Sequence, residues 1–207
     1  MISNGKFYES QFEEATIELL REAHWQYAFG DDIHRKYTDP LIEEDLRNFL
    51  AVQYKDKNLT TSEMDSIVAN LRNTGGQNDY YALRNTFLLY RDGYDFAYSD
   101  GRSNPFRLEY IDFEHPVHNI FRCVNQFVME QGRENRRPDI LLFINGIPVC
   151  IIELKNPTKQ NATIHDAHTQ ICTRYMRDIP ALLKYCALAV ISDGAKNALG
   201  ATYTPLS

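Results

Sequence analysis

The amino-acid sequence predicts an α/β domain, a mixed central sheet with helices packed against it and a helical segment near the N-terminus. Three observations predict it. The first 75 or so residues carry apolar side chains at helical spacing. From Tyr80 the pattern changes to short aromatic and branched runs separated by turn residues. Two apolar runs, Ile140–Ile144 and Val149–Leu154, then meet at Asn145-Gly146, the strongest short-range hairpin signal a sequence offers.

Taken in order, Glu9 to Tyr27 reads as an amphipathic helix with Phe12, Thr16, Leu19 and Ala23 on one side. Asp39-Pro40 reads as a helix start, with Pro at the first helical position and acids behind it, for a helix from Leu41 to about Tyr54. A shorter helix follows from Thr61 to Arg72, and Gly75-Gly76 closes that section. Tyr81–Tyr90, Phe106–Phe113 and Ile120–Met129 read as strands bounded by Asp92-Gly93, Asp100-Gly101 and Gly132, although Phe121–Val128 also admits a helix. After the Asn145-Gly146 hairpin, a helical pattern runs from about Ala162 to Arg177 and stops at Pro180. A last strand, Ala187–Ile191, ends at Ser192-Asp193-Gly194. The whole chain reads as one domain, with a helical insertion over about 40–78 and the sheet-containing core over 80–194.

Bulk properties narrow the function classes. Cys123, Cys150, Cys172 and Cys186 form no C-x-x-C pair, which excludes a zinc ribbon and points to reduced thiols. The longest apolar stretch, Ile140–Ile152, is interrupted by Asn145-Gly146 and Pro148, too short and too broken to span a bilayer. With no basic and apolar leader at Met1–Glu9, the expected location is the cytoplasm. The net charge of −6 argues against a polyanionic partner, but its distribution does not: residues 1–132 hold 13 Lys/Arg against 22 Asp/Glu, whereas residues 133–184 hold 8 against 5.

That basic segment contains Arg136–Pro157, RRPDILLFINGIPVCIIELKNP, where the chemistry concentrates. Asp139 and Glu153 lie at matching ends of the hairpin, and Lys155 follows two residues on, on the same strand face as Glu153. Two carboxylates in one cleft call for a cation. Magnesium, a hard ion, suits a pair of carboxylates, waters and phosphate oxygens. A lysine beside them can orient the attacking water and steady charge developing on phosphorus. The set therefore fits metal-assisted phosphodiester hydrolysis. Geometry attaches a condition. A regular two-residue turn at Asn145-Gly146 would pair Asp139 with Ile152 and turn it away from Glu153, so the hairpin must contain a bulge or irregular loop, for which Gly146 at positive φ is the expected source.

At these residues the chain resembles the N-terminal nuclease domain of the restriction (motor) subunit of type I restriction–modification enzymes. The resemblance rests on FEEATIELL, DPLIEEDLRNFL, IDFEHPVHNIFRCVNQF, INGIP followed by IELKNP, AHTQICTRYMRDIPALLKY and VISDGAKNALG, and is weakest from Tyr54 to Tyr80. It implies a restriction-endonuclease-like PD-(D/E)xK core, with Mg²⁺ held by Asp139, Glu153 and the carbonyl of Leu154 and with Lys155 assisting the water. It implies double-stranded DNA as substrate and modification and specificity subunits as partners. It also implies a Gln…Tyr motif in the following helix, here Gln170 and Tyr175 as DNA-binding or site-orienting residues. The family spacing is Gln-x-x-x-Tyr, whereas four residues intervene here, and five helical steps turn about 500°. The family also draws a glutamate from the first helix; Glu13 or Glu9 could fill that place, either reads equally as solvated helix surface, and neither is assigned. Motor domains that use ATP belong to the same family, and with no G-x-x-x-x-G-K-[ST] loop in this sequence they are expected elsewhere in a parent protein of which this is a fragment.

The remaining polar residues read more plainly. His165 and His168, and likewise His115 and His118, read as polar surface. Arg133, Arg136, Arg137, Lys159, Arg174 and Arg177 could contact phosphates or form a solvated cluster. Two other functions compete with the nuclease: an inert docking module with the same fold, and a transition-metal hydrolase built on the histidines.

Overall fold

A computed structural model describes residues 9–155 and 163–204. Helix α1 (Glu9–Glu22) leads through His24, at positive φ, into strand β1 (Gln26–Phe29). The helix is therefore shorter than its pattern suggested, and its buried side differs. Ile17 is buried with Phe12 and Leu20 beside it, while Leu19 is 66% exposed. Helix α2 (Glu43–Gln53) begins three residues after Pro40. Helix α3 (Thr61–Asn73) is capped one residue earlier than its composition indicated: Thr60 and Glu63 form a reciprocal capping box.

The largest departure is at Tyr81–Tyr90, which is not a strand. It lies within helix α4 (Asp79–Asp92), capped by Asn78, whose side chain accepts the Tyr81 amide proton. The buried positions Leu83, Thr86 and Tyr90 are spaced at helical period, and that spacing overrides the strand preference of the aromatic residues. Asp92-Gly93 is accordingly a helix end, with Gly93 at φ +63° donating to the Leu89 carbonyl. Strands β2 (Tyr94–Phe96) and β3 (Phe106–Leu108) form a separate antiparallel pair, so only the start of Phe106–Phe113 is strand. Next come β4 (Phe121–Asn125) and a small hairpin, β5 (Met129–Gln131) with β6 (Glu134–Arg136). The run Ile120–Met129 is thus two strands broken at Gln126, which sits at φ +54°.

Strands β7 (Ile140–Ile144) and β8 (Ile147–Leu154) form the central hairpin. Helix α5 (Ile164–Thr169) runs into a π-helical turn (Gln170–Tyr175) and a final α-turn, α6 (Met176–Asp178). Strands β9 (Leu188–Ser192) and β10 (Asn197–Gly200) follow. The main sheet has the order β1-β4-β7-β8-β9-β10, with β1–β4 and β8–β9 parallel and the other pairs antiparallel. This is the mixed six-stranded sheet flanked by helices expected of a PD-(D/E)xK-like core.

Period-two alternation sorts the hairpin between two layers. Ile140, Cys150, Ile152 and Leu154 face α1, together with Cys123. Leu141, Phe143 and Ile151 face the opposite side, against Ile164, Ala167, Ile171 and Tyr175 of the α5 segment. Helices α2, α3 and α4 pack at the turn end of the hairpin around Ile144, Ile147 and Tyr110.

The Asn145-Gly146 turn is a regular two-residue turn, Ile144 facing Ile147, with both turn residues at positive φ (+51° and +74°) as a type I′ turn requires. Asn145 is fully buried. Its side-chain oxygen accepts the Ile120 amide at 2.7 Å, and its side-chain nitrogen donates to the Tyr110 carbonyl and the Asn119 side chain. A Cβ on Gly146 would stand 2.1 Å from the Ile42 carbonyl oxygen, so this close approach to the start of α2 requires glycine. The irregularity needed by the hairpin lies elsewhere. Phe143 pairs with Pro148 but Leu142 pairs with Cys150, leaving Val149 as an extra residue in β8.

Candidate active site

The bulge at Val149 sets which side chains meet. From Leu142↔Cys150 the register continues to Ile140↔Ile152, and one further step sets Asp139 opposite Glu153, on one face of the sheet. Asp139 is also tied to the end of β8, because its Oδ2 accepts the Leu154 amide proton at 2.7 Å. The amide of Lys155 donates to the Ser192 carbonyl at 2.8 Å, fixing the end of β8 against β9.

Around Glu153 four side chains close a ring. Glu153 is 1% exposed. Lys155 Nζ donates to Glu153 Oε1 and to Gln170 Oε1, each at 2.8 Å. Gln170 Nε2 donates to the Tyr175 hydroxyl at 2.7 Å, and that hydroxyl donates to Glu153 Oε2 at 3.3 Å. The five predicted side chains Asp139, Glu153, Lys155, Gln170 and Tyr175 therefore occupy one place. The unexpected spacing between Gln170 and Tyr175 is absorbed by the backbone. These two residues bound the π-helical turn, in which hydrogen bonds run from i to i+5 and residues five apart stack along the axis. Sequence reasoning assumed α-helical rotation, which would have separated them.

The electrostatics follow from burial. Removal from water, and then the nearby charge of Asp139, raise the pKa of Glu153 to about 8, against the lowering effects of Lys155 and Tyr175. Relative to an ordinary glutamate this difference is worth on the order of 4–5 kcal/mol. Burial and the adjacent Glu153 also raise the Tyr175 phenol, which keeps it a hydrogen-bond donor. A nearly inaccessible carboxyl group with a second one opposite it fits a hard divalent cation, which would offset both the burial of Glu153 and the repulsion from Asp139. Asp139 and Glu153 supply oxygen donors, and the Leu154 peptide lies between Glu153 and Lys155 with its amide against Asp139.

Of the two candidate first-helix glutamates, Glu13 is the one whose side chain is described. Its Oε1 accepts from Asn125 Nδ2 at 2.7 Å and from Gln126 Nε2 at 3.1 Å, and the Gln126 amide donates to the Asp139 carbonyl at 3.3 Å. The Glu9 side chain, like Lys159, lies outside the described residues. Of the basic cluster, Arg136 pairs with Glu134 and Asp178, and Arg177 with Asp178, so these two serve the local fold. Arg133, Arg137 and Arg174 are exposed. His168 Nε2 meets the Thr204 carbonyl at 3.0 Å. Among the described residues, the histidines that gather with a carboxylate are His115 and His118, beside Asp112. No helix among those residues is long and apolar enough to cross a membrane.

The chain is 32% identical over 203 residues to the type I restriction enzyme HindI endonuclease subunit of Haemophilus influenzae, and 31% identical over 196 residues to the putative type I restriction enzyme MjaIXP endonuclease subunit of Methanocaldococcus jannaschii. Those matches cover 93% and 91% of this chain but 19% of each relative. A shorter match, 33% over 105 residues, links 49% of the chain to 31% of the Escherichia coli type I restriction enzyme EcoprrI endonuclease subunit. The chain thus spans about a fifth of the length of the first two relatives. The family model of the type I restriction enzyme R protein N terminus matches residues 6–207, and the chain belongs to that family.

Proposed function

We propose that this chain is the Mg²⁺-dependent endonuclease domain of a type I restriction enzyme R protein, hydrolysing phosphodiester bonds of double-stranded DNA in defence against foreign DNA. One observation carries the reading: a nearly inaccessible glutamate is held by a lysine, a glutamine and a tyrosine in a closed ring, with a second carboxylate opposite it across the hairpin. Asp139, Glu153 and the Leu154 carbonyl would hold the ion. When bound, the ion supplies Lewis acidity toward a phosphoryl oxygen and its bound water.

The side chains divide the remaining work. Lys155, 13% exposed in its side chain, presents an ammonium group beside the carboxylates, where it orients the attacking water and stabilises charge on the phosphorus oxygens. Gln170 fixes Lys155 by accepting one of its protons, and Tyr175 fixes the second oxygen of Glu153. Both act as positioning groups. Glu13, reached through Gln126, extends the acidic wall toward the end of β4. ATP use belongs to motor regions outside this sequence. Modification and specificity subunits are the proposed partners, DNA sequence recognition belongs to the latter, and the proposed location is the cytoplasm.

The test uses the full R subunit that carries this sequence, assembled with its partners. Lys155→Ala and Glu153→Ala should each abolish DNA cleavage while leaving ATP hydrolysis at the parent level. Normal cleavage by both variants would refute the site.

A further inference from the structure

The connection between β3 and β4 folds back on itself around Asp112, which is 5% exposed. Asp112 Oδ1 accepts the His115 amide at 2.8 Å, and Oδ2 accepts from Gln53 Nε2 at 3.1 Å. Both following histidines bring a ring nitrogen to the same carboxylate. His118 Nδ1 lies 2.8 Å from Oδ2 and His115 Nδ1 lies 3.7 Å from Oδ1. One ligand atom from each of the three residues lies within 4.8 Å of the other two. The imidazoles are nearly parallel, 25° apart with centroids at 5.1 Å, and their side chains are 62% and 51% exposed. A turn at Pro116–His118 holds this shape, and the Asn119 side chain closes it onto the Pro116 and Asp112 carbonyls.

We propose that Asp112, His115 and His118 form a binding site for a transition-metal dication of the zinc type, separate from the Asp139–Glu153 site. The dimensions fit. A tetrahedral zinc ion with bonds near 2.0–2.1 Å sets its ligand atoms roughly 3.3 Å apart, and the two nitrogen–carboxylate separations fall on either side of that value. The donor set selects the ion. Two imidazoles and one carboxylate suit zinc, cobalt or nickel, whereas magnesium demands oxygen ligands. Gln53 and the His115 amide hold the carboxylate from behind, the supporting contacts that orient a metal ligand.

The site's position assigns its role. It precedes Phe121, which pairs with Ile144 at the turn end of the hairpin. The Asp139–Glu153 pair lies five residues away along β7, about 17 Å at the usual strand rise. An ion here serves as a clip, tying the β3–β4 connection to α2 through Gln53, and takes no part in phosphodiester chemistry.

The experiment titrates the chelator-stripped 207-residue chain with Zn²⁺ by calorimetry and with Co²⁺ by visible absorption. One zinc ion per chain should bind, excess Mg²⁺ should not displace it, and the His165→Ala/His168→Ala pair should leave it unchanged. The His115→Ala/His118→Ala pair should weaken it at least tenfold and remove the intense bands of tetrahedral cobalt. The two histidines are exposed, so this variant should keep its circular dichroism. Asp112→Asn provides a second test, keeping the shape of the carboxylate, and should also weaken binding. Equal affinity in the His115→Ala/His118→Ala pair and the parent overturns the proposal. So does an absence of saturable uptake up to about 0.1 mM zinc.

Discussion

Glu63 and Glu153 are both glutamates with almost no solvent contact, 3% and 1% exposed, and each has a cationic partner, yet their proton affinities move in opposite directions. Glu63 stands at the start of α3, where Arg102 grips both its oxygens at 2.7 and 2.6 Å and the Thr60 amide donates to it at 2.9 Å. The Arg102 contact first, and then the Thr60 amide, hold its pKa down to about 2. Glu153 has a single lysine contact, lies deep against the sheet and faces a second acid, and its pKa rises to about 8. Asp45 and Asp178 are likewise gripped by arginines, the first by Arg122 at 2.6 and 2.8 Å, the second by Arg136 and Arg177. Where this fold uses an acid to hold itself together it supplies an arginine fork. At Glu153 it supplies too little positive charge, and the deficit is what a divalent cation would fill.

The sharpest way to break this comparison is to remove the cation from each kind of pair. Lys155→Ala should lower cleavage by the assembled enzyme at least about a hundredfold with little change in melting temperature. Arg102→Ala should lower the melting temperature and leave cleavage per folded molecule intact. Cleavage and melting curves on both variants decide it, and a large cleavage defect in Arg102→Ala would collapse the distinction.

A smaller effect concerns stability alone. Arg122→Ala leaves Asp45 buried without its fork and should cost about 2–4 kcal/mol in urea unfolding. Glu153→Gln should do the reverse and stabilise the chelator-treated chain at pH 8, by at most the roughly 4–5 kcal/mol by which its surroundings disfavour the charged carboxylate. A destabilised Glu153→Gln would mean that the Lys155 pair outweighs the burial penalty.

The pH dependence carries the same contrast. Between an ordinary glutamate value and about 8, folded Glu153 keeps a proton that the unfolded chain has released. Metal-free stability should therefore fall as pH rises through that window, by at most about 1.4 kcal/mol per pH unit, and Glu153→Gln should flatten the slope. Glu63 contributes with the opposite sign. Its stabilisation is present above the ordinary glutamate range and is lost as pH falls toward about 2. Melting temperatures across pH 3–9 on the parent, Glu153→Gln and Glu63→Gln would resolve the two slopes, the Glu63 one being the fainter because its partner Arg102 is part-exposed and screened by solvent.

Much of the central hairpin was legible in advance because its signals are local. Asn-Gly fixes a turn, and the apolar runs on either side fix β7 almost to the residue. The bulge was legible only as a requirement. That two carboxylates must share a face demanded one extra residue, but nothing in Val149 itself marks it, and the turn looked the more natural place. Helix α4 was misread because Tyr80, Tyr81, Phe87 and Tyr90 carry strand preference, while the three buried positions that decide its period are few. Asp112 was missed as a companion of His115 and His118 because its role depends on a loop closing back through Asn119, a tertiary fact. The convergence of Gln170 and Tyr175 was hidden for another reason: the counting rule assumed one kind of helix.

That π-turn frees the helix from a fixed ruler. Its two ends belong to different obligations, Ile164 and Ala167 to the sheet upstream and Asp178 to Arg136 downstream, and a helix of uniform pitch can honour both only at one length. A wider turn between them takes up one residue as slack, so neither anchor has to move. A sequence with the motif one residue shorter would present the same two side chains from a regular helix. Deleting the exposed Thr173 should convert this chain to that form with the four-membered ring preserved.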